Sequence, residues 1–160
     1  MLIHGLQKLT LLDYPGKVAC TVFTGGCNFR CPFCHNASLV LRPDEGEHIP
    51  EEELFALLKK RQGVLEGVCI TGGEPTLAFG LETLMARIKE MGYLVKLDTN
   101  GTRPKAVKRI IDAGLADPFT YYAIHSILSI LYCIVVFLSS PVLLSFRPKS
   151  APYFCATKKP

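Results

Sequence analysis

The sequence feature that most limits the fold of this chain is a threefold repetition of a short apolar strand followed by an amphipathic helix. The predicted strands cover residues 17–24, 67–71 and 93–98, which are rich in β-branched and other apolar side chains. Strands that alternate with helices in this way usually pair in parallel, with each helix crossing back over the sheet. The sequence therefore predicts an α/β fold whose ligand sites lie at the carboxyl ends of parallel strands.

Each predicted strand is followed by clear helix signals. The stretch "IPEEELFALLKKR" (49–61) places Pro50 at the first helical position, acidic residues in the first turn and basic residues in the last. Gly92 is predicted to end the second helix. The third helix is predicted to begin at Pro104 and to end at Gly114. The apolar residues that recur on one face of each helix are Leu54, Leu57 and Leu58, then Leu81, Leu84, Met85 and Ile88, and finally Val107, Ile110 and Ile111.

Composition excludes several classes of protein. With 160 residues, 49% of them hydrophobic and 20% charged, the chain has enough apolar surface for one domain with a real core and is not disordered. A net charge of +4 without a long basic run predicts no nucleic-acid partner. Seven cysteines, three of them clustered, indicate a reducing compartment, and Asp13 interrupts the first apolar run, so we expect no signal peptide and a cytoplasmic protein.

A loop rich in cysteine follows the first predicted strand. Residues 25–36 read "GGCNFRCPFCHN", with three and then two residues between Cys27, Cys31 and Cys34. An iron-sulfur cube has four irons that each need an outside ligand, so three thiolates leave one iron open to another molecule. Gly25 and Gly26 allow the backbone to turn closely around such a cluster.

Other interpretations of the cysteine loop remain open at this point. A structural zinc site usually has four ligands, and His35 is the candidate for the fourth, although it adjoins Cys34. A cluster with four thiolates would need Cys20 or Cys69 as well. The three cysteines could also be core residues without any metal.

Two further motifs lie at predicted strand ends. "GGEPT" (72–76) follows the second strand, where Glu74 offers a carboxylate to a cationic group. "DTNGT" (98–102) begins with Asp98 at the end of the third strand. Considered alone, each motif is typical of an ordinary turn, and Asp98 of a turn or helix cap.

Together these motifs resemble a known family. The spacing C-x3-C-x2-C with Phe33 before the last cysteine resembles the signature of the radical S-adenosylmethionine (radical SAM) superfamily. The wider run from residue 5 to residue 36 is similar to the activating proteins of anaerobic ribonucleoside-triphosphate reductase, and to glycyl-radical-enzyme activases generally. With the two later motifs the resemblance covers about residues 3–117. It implies a partial radical-SAM (β/α) barrel, here with about three βα units.

The resemblance implies two cofactors and their ligands. Cys27, Cys31 and Cys34 would bind a [4Fe-4S] cluster, and the amino and carboxylate groups of S-adenosylmethionine would chelate the open iron. One electron from the cluster would then cleave the cofactor to methionine and a 5'-deoxyadenosyl radical. Seven residues would contact S-adenosylmethionine: Phe33, Cys34, His35, Gly72, Gly73, Glu74 and Asp98. Of these, His35 is expected to act as a hydrogen-bonding residue rather than as a base.

The resemblance also implies a reaction and its partners. The enzyme would be a radical SAM oxidoreductase that abstracts hydrogen from a glycine of a glycyl radical enzyme, with anaerobic ribonucleoside-triphosphate reductase as the expected partner. A low-potential donor such as flavodoxin or ferredoxin would supply the electron. The competing hypothesis is a non-catalytic or degenerate iron-sulfur or zinc protein derived from this family.

The pattern changes sharply after residue 117. Residues 118–146 contain no Asp, Glu, Lys or Arg, and residues 147–160 are basic and rich in proline. The family would be expected to continue with a fourth strand and a motif containing Asp and Lys, which is not recognisable here. We therefore expect a radical SAM core at 1–117, an aberrant hydrophobic segment at 118–146 and a tail. The segment is interpreted as foreign sequence after a frameshift or truncation, as a divergent core segment, or as a membrane anchor, which is not favoured.

Overall fold

The computed structural model describes residues 1–32 and 34–117, and a mixed sheet is at its centre. Its strands are β1 (Gly5–Thr10), β2 (Ala19–Thr24), β3 (Gly67–Gly72) and β4 (Leu94–Leu97), in the order β1-β2-β3-β4. The pairs β2–β3 and β3–β4 are parallel, as the sequence predicts. Strand β1 pairs antiparallel with β2 and was not predicted.

The helices follow the strands as expected, with one addition. The structure contains α1 (Ala37–Leu41), α2 (Glu51–Lys60), α3 (Leu81–Glu90) and α4 (Pro104–Asp112), together with single 3-10 turns at Pro43–Glu45 and Pro75–Leu77. Helices α2, α3 and α4 confirm the three predicted helices, whereas the short α1 was not predicted. Pro50 precedes α2 as its N-cap instead of occupying the first helical position.

The two faces of the parallel sheet differ in polarity. In register across β2, β3 and β4, the rows Cys20–Val68–Val95 and Val22–Ile70–Leu97 belong to the hydrophobic core. Between them lies the row Thr21–Cys69–Lys96, which points to the opposite face because successive side chains in a strand alternate. One face is therefore apolar and the other carries polar and reactive groups.

Helices cover the apolar face. Leu54 and Leu58 of α2 join the core cluster, as do all four predicted residues of α3 and Ile110 of α4. Ile111 was predicted to face inward, but 37% of it is exposed. The buried side of α4 is formed by Ala106, Val107 and Ile110, and Ile111 lies 100° further round the helix from Ile110.

The chain that leaves α4 returns to the sheet. The backbone N–H of Asp117 donates to the carbonyl of Val95 at 2.8 Å, and the N–H of Val95 donates to the Asp117 carboxylate at 2.6 Å. Lys89 also contacts both oxygens of that carboxylate at 2.9 Å. Asp117 is thereby fixed beside β4, on the side away from β3.

Several predictions fall on other parts of the chain. The hydrophobic segment 118–146 and the tail 147–160 lie outside the described residues, as does Phe33. Among the helices in residues 1–32 and 34–117, none has the length and apolar character needed to cross a bilayer.

Candidate functional site

The three motif loops meet at the carboxyl ends of β2, β3 and β4. The loop after β3 bonds to the loop after β2, since the N–H groups of Gly73 and Glu74 donate to the carbonyls of Thr24 and Gly26, each at 2.8 Å. At the third strand end, the N–H of Asp98 donates to the carbonyl of Ile70 at 2.9 Å. The predicted clustering of the motifs at one edge of the sheet is thus observed.

The paired glycines are required by how closely these loops approach. Gly72 has a φ of +113°, and a Cβ at Gly73 would lie 1.9 Å from the carbonyl oxygen of Gly26. No other residue can occupy position 73 without moving the cysteine loop. The N–H of Gly73 donates to the carbonyl of Thr24 and is thus used within the protein. The glycines therefore join two loops, and their contact with a cofactor stays a prediction.

Glu74 is fully buried, with 0% exposure, and its carboxylate accepts hydrogen bonds from within the protein. One oxygen accepts from the N–H of Thr76 at 3.0 Å, from the Thr76 hydroxyl, and from the Thr99 hydroxyl at 2.7 Å. The other oxygen accepts from the N–H of Asn100 at 2.6 Å. The sequence predicted that this carboxylate faces a cationic ligand. In the structure the carboxylate connects the loops that follow β3 and β4, and its contact with a cationic ligand stays a prediction.

The three loop cysteines are free and partly exposed. The N–H of Cys34 donates to the carbonyl of Cys31 at 3.1 Å, so a tight turn connects the last two. The Sγ atom of Cys27 accepts from the N–H of Phe29 at 3.3 Å and from the side-chain amide of Asn100 at 3.6 Å. The free thiols are suitable ligands for an iron-sulfur cluster, and the N–H donors at Cys27 fit such a ligand because cluster sulfurs commonly accept hydrogen bonds.

The zinc alternative can be compared with the donors that the loop offers. A structural zinc ion needs four donors around one centre, whereas each thiolate of a cluster binds a different iron. His35, the proposed fourth zinc ligand, is exposed. The three thiolates of the loop fit a cluster with one open iron, and a fourth zinc ligand stays a hypothesis.

The two strand cysteines are unlike the loop cysteines. Cys20 and Cys69 are both fully buried. Burial raises the pKa of the Cys20 thiol to about 12. Burial, followed by the nearby carboxylate of Asp98, raises the pKa of the Cys69 thiol well above its usual range. Cys20 is the second residue of β2 and Cys69 the third of β3, so both lie within the sheet and not in the loop at the strand ends.

Asp98 belongs to a group of polar side chains on the face of the sheet opposite the hydrophobic core. Its carboxylate accepts from the Lys96 ammonium at 2.6 Å and from the Cys69 thiol at 3.3 Å. The Lys96 side chain is 6% exposed and that of Asp98 is 23% exposed. Asp98 is therefore an ion-paired carboxylate that solvent can still reach. Its predicted position beside the methionine end of a cofactor stays a prediction.

Asn100 was considered only as a turn residue, and its role in the site was missed. It contacts the Cys27 thiol, while its side-chain N–H group also donates to Asn28 Oδ1 at 2.9 Å. Asn28 in turn donates to the Thr102 hydroxyl at 2.8 Å. A polar side chain directly after a strand end, opposite a cysteine loop, was the available signal. Its pairing with residues more than 70 positions away could not be derived from local sequence.

A cavity of about 430 Å³ lies beside this site. It is formed between residues 76–83, which follow the Glu74 turn, and residues of α4 from Ala106 to Ile110. Arg103 contributes to its wall and donates to the carbonyl of Thr76 at 2.6 Å. Of the predicted cofactor-binding residues that the structure describes, none lines this cavity.

The part of the chain that carries these loops is similar to known proteins. Residues 21–125 match the family model of the Radical SAM superfamily. A glycyl-radical enzyme activating enzyme of Methanocaldococcus jannaschii is 37% identical over 122 residues, which are 72% of this chain and 47% of that protein.

Two further relatives have shorter matches. A 7-carboxy-7-deazaguanine synthase of Rhodopirellula baltica is 37% identical over 90 residues, which are 56% of this chain and 34% of that protein. The pyruvate formate-lyase-activating enzyme of Staphylococcus aureus is 31% identical over 103 residues, which are 61% of this chain and 41% of that protein. The chain therefore spans about a third to a half of the length of these curated relatives.

A solved structure is similar in fold. QueE from Escherichia coli superposes with a TM-score of 0.52 at 21% sequence identity, over 63% of this chain and 53% of QueE. At this identity the likeness concerns the architecture alone. It supports the α/β fold that the order of strands and helices predicts and the partial barrel that the family resemblance implies.

Proposed function

The chain belongs to the radical SAM superfamily, whose members use a [4Fe-4S] cluster and S-adenosylmethionine, and we propose that it acts as a glycyl-radical-enzyme activase. The observation that carries the proposal is the convergence of three loops at one edge of the sheet, where Asn100 contacts Cys27 and Glu74 binds both the cysteine loop and the loop after β4. This arrangement brings the loop that carries the three free thiols next to the two motifs that would bind S-adenosylmethionine.

Cys27, Cys31 and Cys34 would hold the cluster. When bound, the cluster and S-adenosylmethionine supply reductive cleavage of a carbon-sulfur bond and a 5'-deoxyadenosyl radical. The protein keeps its three cysteines in a loop whose register is set by the contacts of Gly26 with Gly73 and Glu74. These contacts would position the beginning of the loop, including Cys27, to hold the cluster.

The two carboxylates of the site would have different tasks. Glu74 is fully buried and both of its oxygens already accept hydrogen bonds, so it positions the loops. Asp98 remains partly exposed, with one oxygen facing Lys96 and the other facing Cys69. Asp98 is therefore the better candidate to meet the cationic amino group of S-adenosylmethionine. Gly72, Gly73, Phe33, Cys34 and His35 would complete the surroundings of the cofactor.

The substrate would be a backbone glycine of a partner enzyme. Glycine has no side chain to block the approach of the radical, and the radical left on its Cα is delocalised over two peptide groups. Among the relatives described above, the activating enzyme shares the longest aligned stretch with this chain. The resemblance of residues 5–36 to reductase activating proteins favours anaerobic ribonucleoside-triphosphate reductase as the partner, with a flavodoxin or ferredoxin as electron donor and the cytoplasm as location.

One anaerobic assay tests the proposal. The full chain is reconstituted with iron and sulfide, mixed with S-adenosylmethionine and a strong reductant, and analysed for 5'-deoxyadenosine by chromatography. We expect product from the wild type and none from Cys31→Ala treated identically. Adding an anaerobic ribonucleotide reductase should then produce a glycyl radical signal in electron paramagnetic resonance. A loaded wild-type protein that forms no 5'-deoxyadenosine would contradict the activase function.

The second candidate is a cluster-binding protein without catalytic activity. It is favoured by the absence of Asp and Lys from residues 118–146, where the resemblance implies a further motif that contains both. In that case the protein would load a cluster, and S-adenosylmethionine would leave both the cluster signal and the product level unchanged. Residues 1–117 would then still form the radical SAM core that binds the cluster. Residues 118–146 and 147–160 would not supply the remaining contacts to S-adenosylmethionine.

A further inference from the structure

The thiol of Cys27 differs from the other two loop thiols in its hydrogen bonds. Its Sγ accepts from the backbone N–H of Phe29 at 3.3 Å and from the side-chain amide of Asn100 at 3.6 Å. In the described ranges 1–32 and 34–117, no such donor faces the Sγ of Cys31 or that of Cys34. The three sulfurs are therefore not electrically equivalent.

The orientation of the Asn100 amide is determined by its neighbours. Its Oδ1 accepts from the backbone N–H of Thr102 at 3.0 Å and from the Thr102 hydroxyl at 2.7 Å. A backbone N–H can only donate, so the atom that faces it must be the oxygen of the amide. The nitrogen must then face Cys27 and Asn28, and it donates to Asn28 Oδ1 at 2.9 Å.

The backbone of Asn100 is fixed as well. Its N–H donates at 2.6 Å to the carboxylate of Glu74, which is fully buried. The turn is thus held by the bond of the Asn100 N–H to Glu74 and by the bond of the Thr102 N–H to the Asn100 side chain. From this turn the Asn100 amide reaches a sulfur 73 positions earlier in the chain. An amide held so firmly can donate to the sulfur without an additional ordering cost.

We propose that Asn100 is a positioning residue that stabilises the reduced state of the cluster through its N–H···S bond to Cys27. The inference rests on the cluster assignment of the proposed function. Reduction adds negative charge, part of which resides on the thiolate sulfurs, so a donor at a sulfur stabilises the reduced state more than the oxidised state. Hydrogen bonds to the sulfurs are among the factors that set the potentials of iron-sulfur clusters.

The experiment is a redox titration of the reconstituted full chain, followed by the electron paramagnetic resonance signal of the reduced cluster. The variant is Asn100→Ser, because a serine hydroxyl can still accept from the Thr102 N–H while being too short to reach the sulfur. We expect unchanged iron content and a reduced-to-oxidised ratio about three to ten times lower at the same ambient potential, where tenfold corresponds to about 59 mV for one electron.

Asn28→Ala is the matched comparison. It removes the oxygen partner of the same Asn100 amide but leaves the N–H···S bond in place, so its potential should stay near that of the wild type. If Asn100→Ser keeps its cluster and its potential is unchanged, or if Asn28→Ala shifts it equally, the proposal is overturned.

A further variant serves as a test if Asn100→Ser binds too little cluster for the titration. Asn100→Asp keeps the oxygen that accepts from Thr102 and replaces the donor with an acceptor, so its potential should fall at least as far as that of Asn100→Ser. An Asn100→Asp cluster with the wild-type potential would also refute the proposal. Because the titration needs neither a partner enzyme nor cleavage of S-adenosylmethionine, its outcome is independent of whether the chain is a working activase.

Discussion

The backbone N–H of Asn100 donates to the carboxylate of Glu74 at 2.6 Å, within the protein interior. The backbone N–H and hydroxyl of Thr76 and the hydroxyl of Thr99 donate to the same carboxylate. A charged acceptor surrounded by donors connects the end of β3 to the end of β4. The carboxylate thereby holds in place the turn from which Asn100 reaches Cys27.

Glu74→Gln tests this connection. The glutamine amide presents N–H groups where a carboxylate oxygen now accepts, so at least one donor loses its partner. We expect the free energy of unfolding to fall by about 1–3 kcal/mol, the usual cost of a buried polar group left unsatisfied. Urea denaturation of the reconstituted chain, followed by circular dichroism, measures this change.

The control for that variant is Glu82→Gln. Glu82 forms an exposed ion pair with Arg109 at 2.8 Å, and exposed pairs contribute about 0–1 kcal/mol. Glu82→Gln should therefore lower the free energy of unfolding less than Glu74→Gln does. Equal losses in both variants would show that the buried carboxylate has no special role.

Gly73→Ala should disrupt the contact between the cysteine loop and the turn after β3. A Cβ at this position would lie 1.9 Å from the Gly26 carbonyl oxygen, which belongs to the backbone and cannot rotate away. We expect a loss of about 1–3 kcal/mol or more in unfolding free energy, together with poor cluster loading. Gly46→Ala is the control, since a Cβ at Gly46 meets no atom within 4 Å. Normal stability and normal iron content in Gly73→Ala would contradict the described approach of the loops.

Cys31→Ala should lose the cluster. With only two loop thiolates remaining, a second iron has no protein ligand, and a cubane bound at two corners is expected to fall apart. The measurement is iron and acid-labile sulfide per chain after anaerobic reconstitution, with Cys133→Ala as a comparison that removes a cysteine outside the loop. The assignment fails if Cys31→Ala retains as much iron as Cys133→Ala.

Stability should depend on pH through His4. Its ring lies edge-on to His48, with ring centroids 4.8 Å apart. Burial, followed by the charge of His48, lowers the pKa of His4 below its ordinary value of 6.5, while Asp44 opposes this shift. The unfolded chain therefore binds the proton more tightly than the folded one. The stability that His4 contributes is present above pH 6.5 and is lost as the pH falls towards its folded pKa.

The measurement is the urea midpoint at pH 7.5 and at pH 5.5. We expect the wild type to be more stable at the higher pH. His48→Gln removes the second cause of the shift, so in this variant the difference between the two pH values should be smaller. The same pH dependence in wild type and variant would mean that His48 has no influence on His4.

The regular units of this fold could be predicted because their signals are local. The periodic leucines of α2 and the four buried residues of α3 determine which side of each helix faces the core. Strand β1 escaped prediction since its centre, Gln7 to Leu9, is exposed and shows no clear apolar alternation. Helix α1 has five residues and no side-chain cap, and such a short element leaves little trace in sequence.

The internal bonds of the site could not be predicted, because they depend on distances across the fold. Glu74 and Asn100 are 26 positions apart, and Asn100 and Cys27 are 73 positions apart. Local sequence indicates a turn at each place but gives no information about the group opposite. For the same reason the internal hydrogen bonds of Glu74 were not predicted, and its contact with a ligand stays a prediction.

The alternation of the parallel strands has a practical consequence for engineering. The residues that carry polar and reactive groups, Thr21, Cys69 and Lys96, form one row between two rows of core residues. A library restricted to this row would vary the chemical surroundings of Asp98 while leaving the helix-covered side untouched. Variants with new reactivity could then be selected from changes in the polar row, while the codons of the two core rows stay constant.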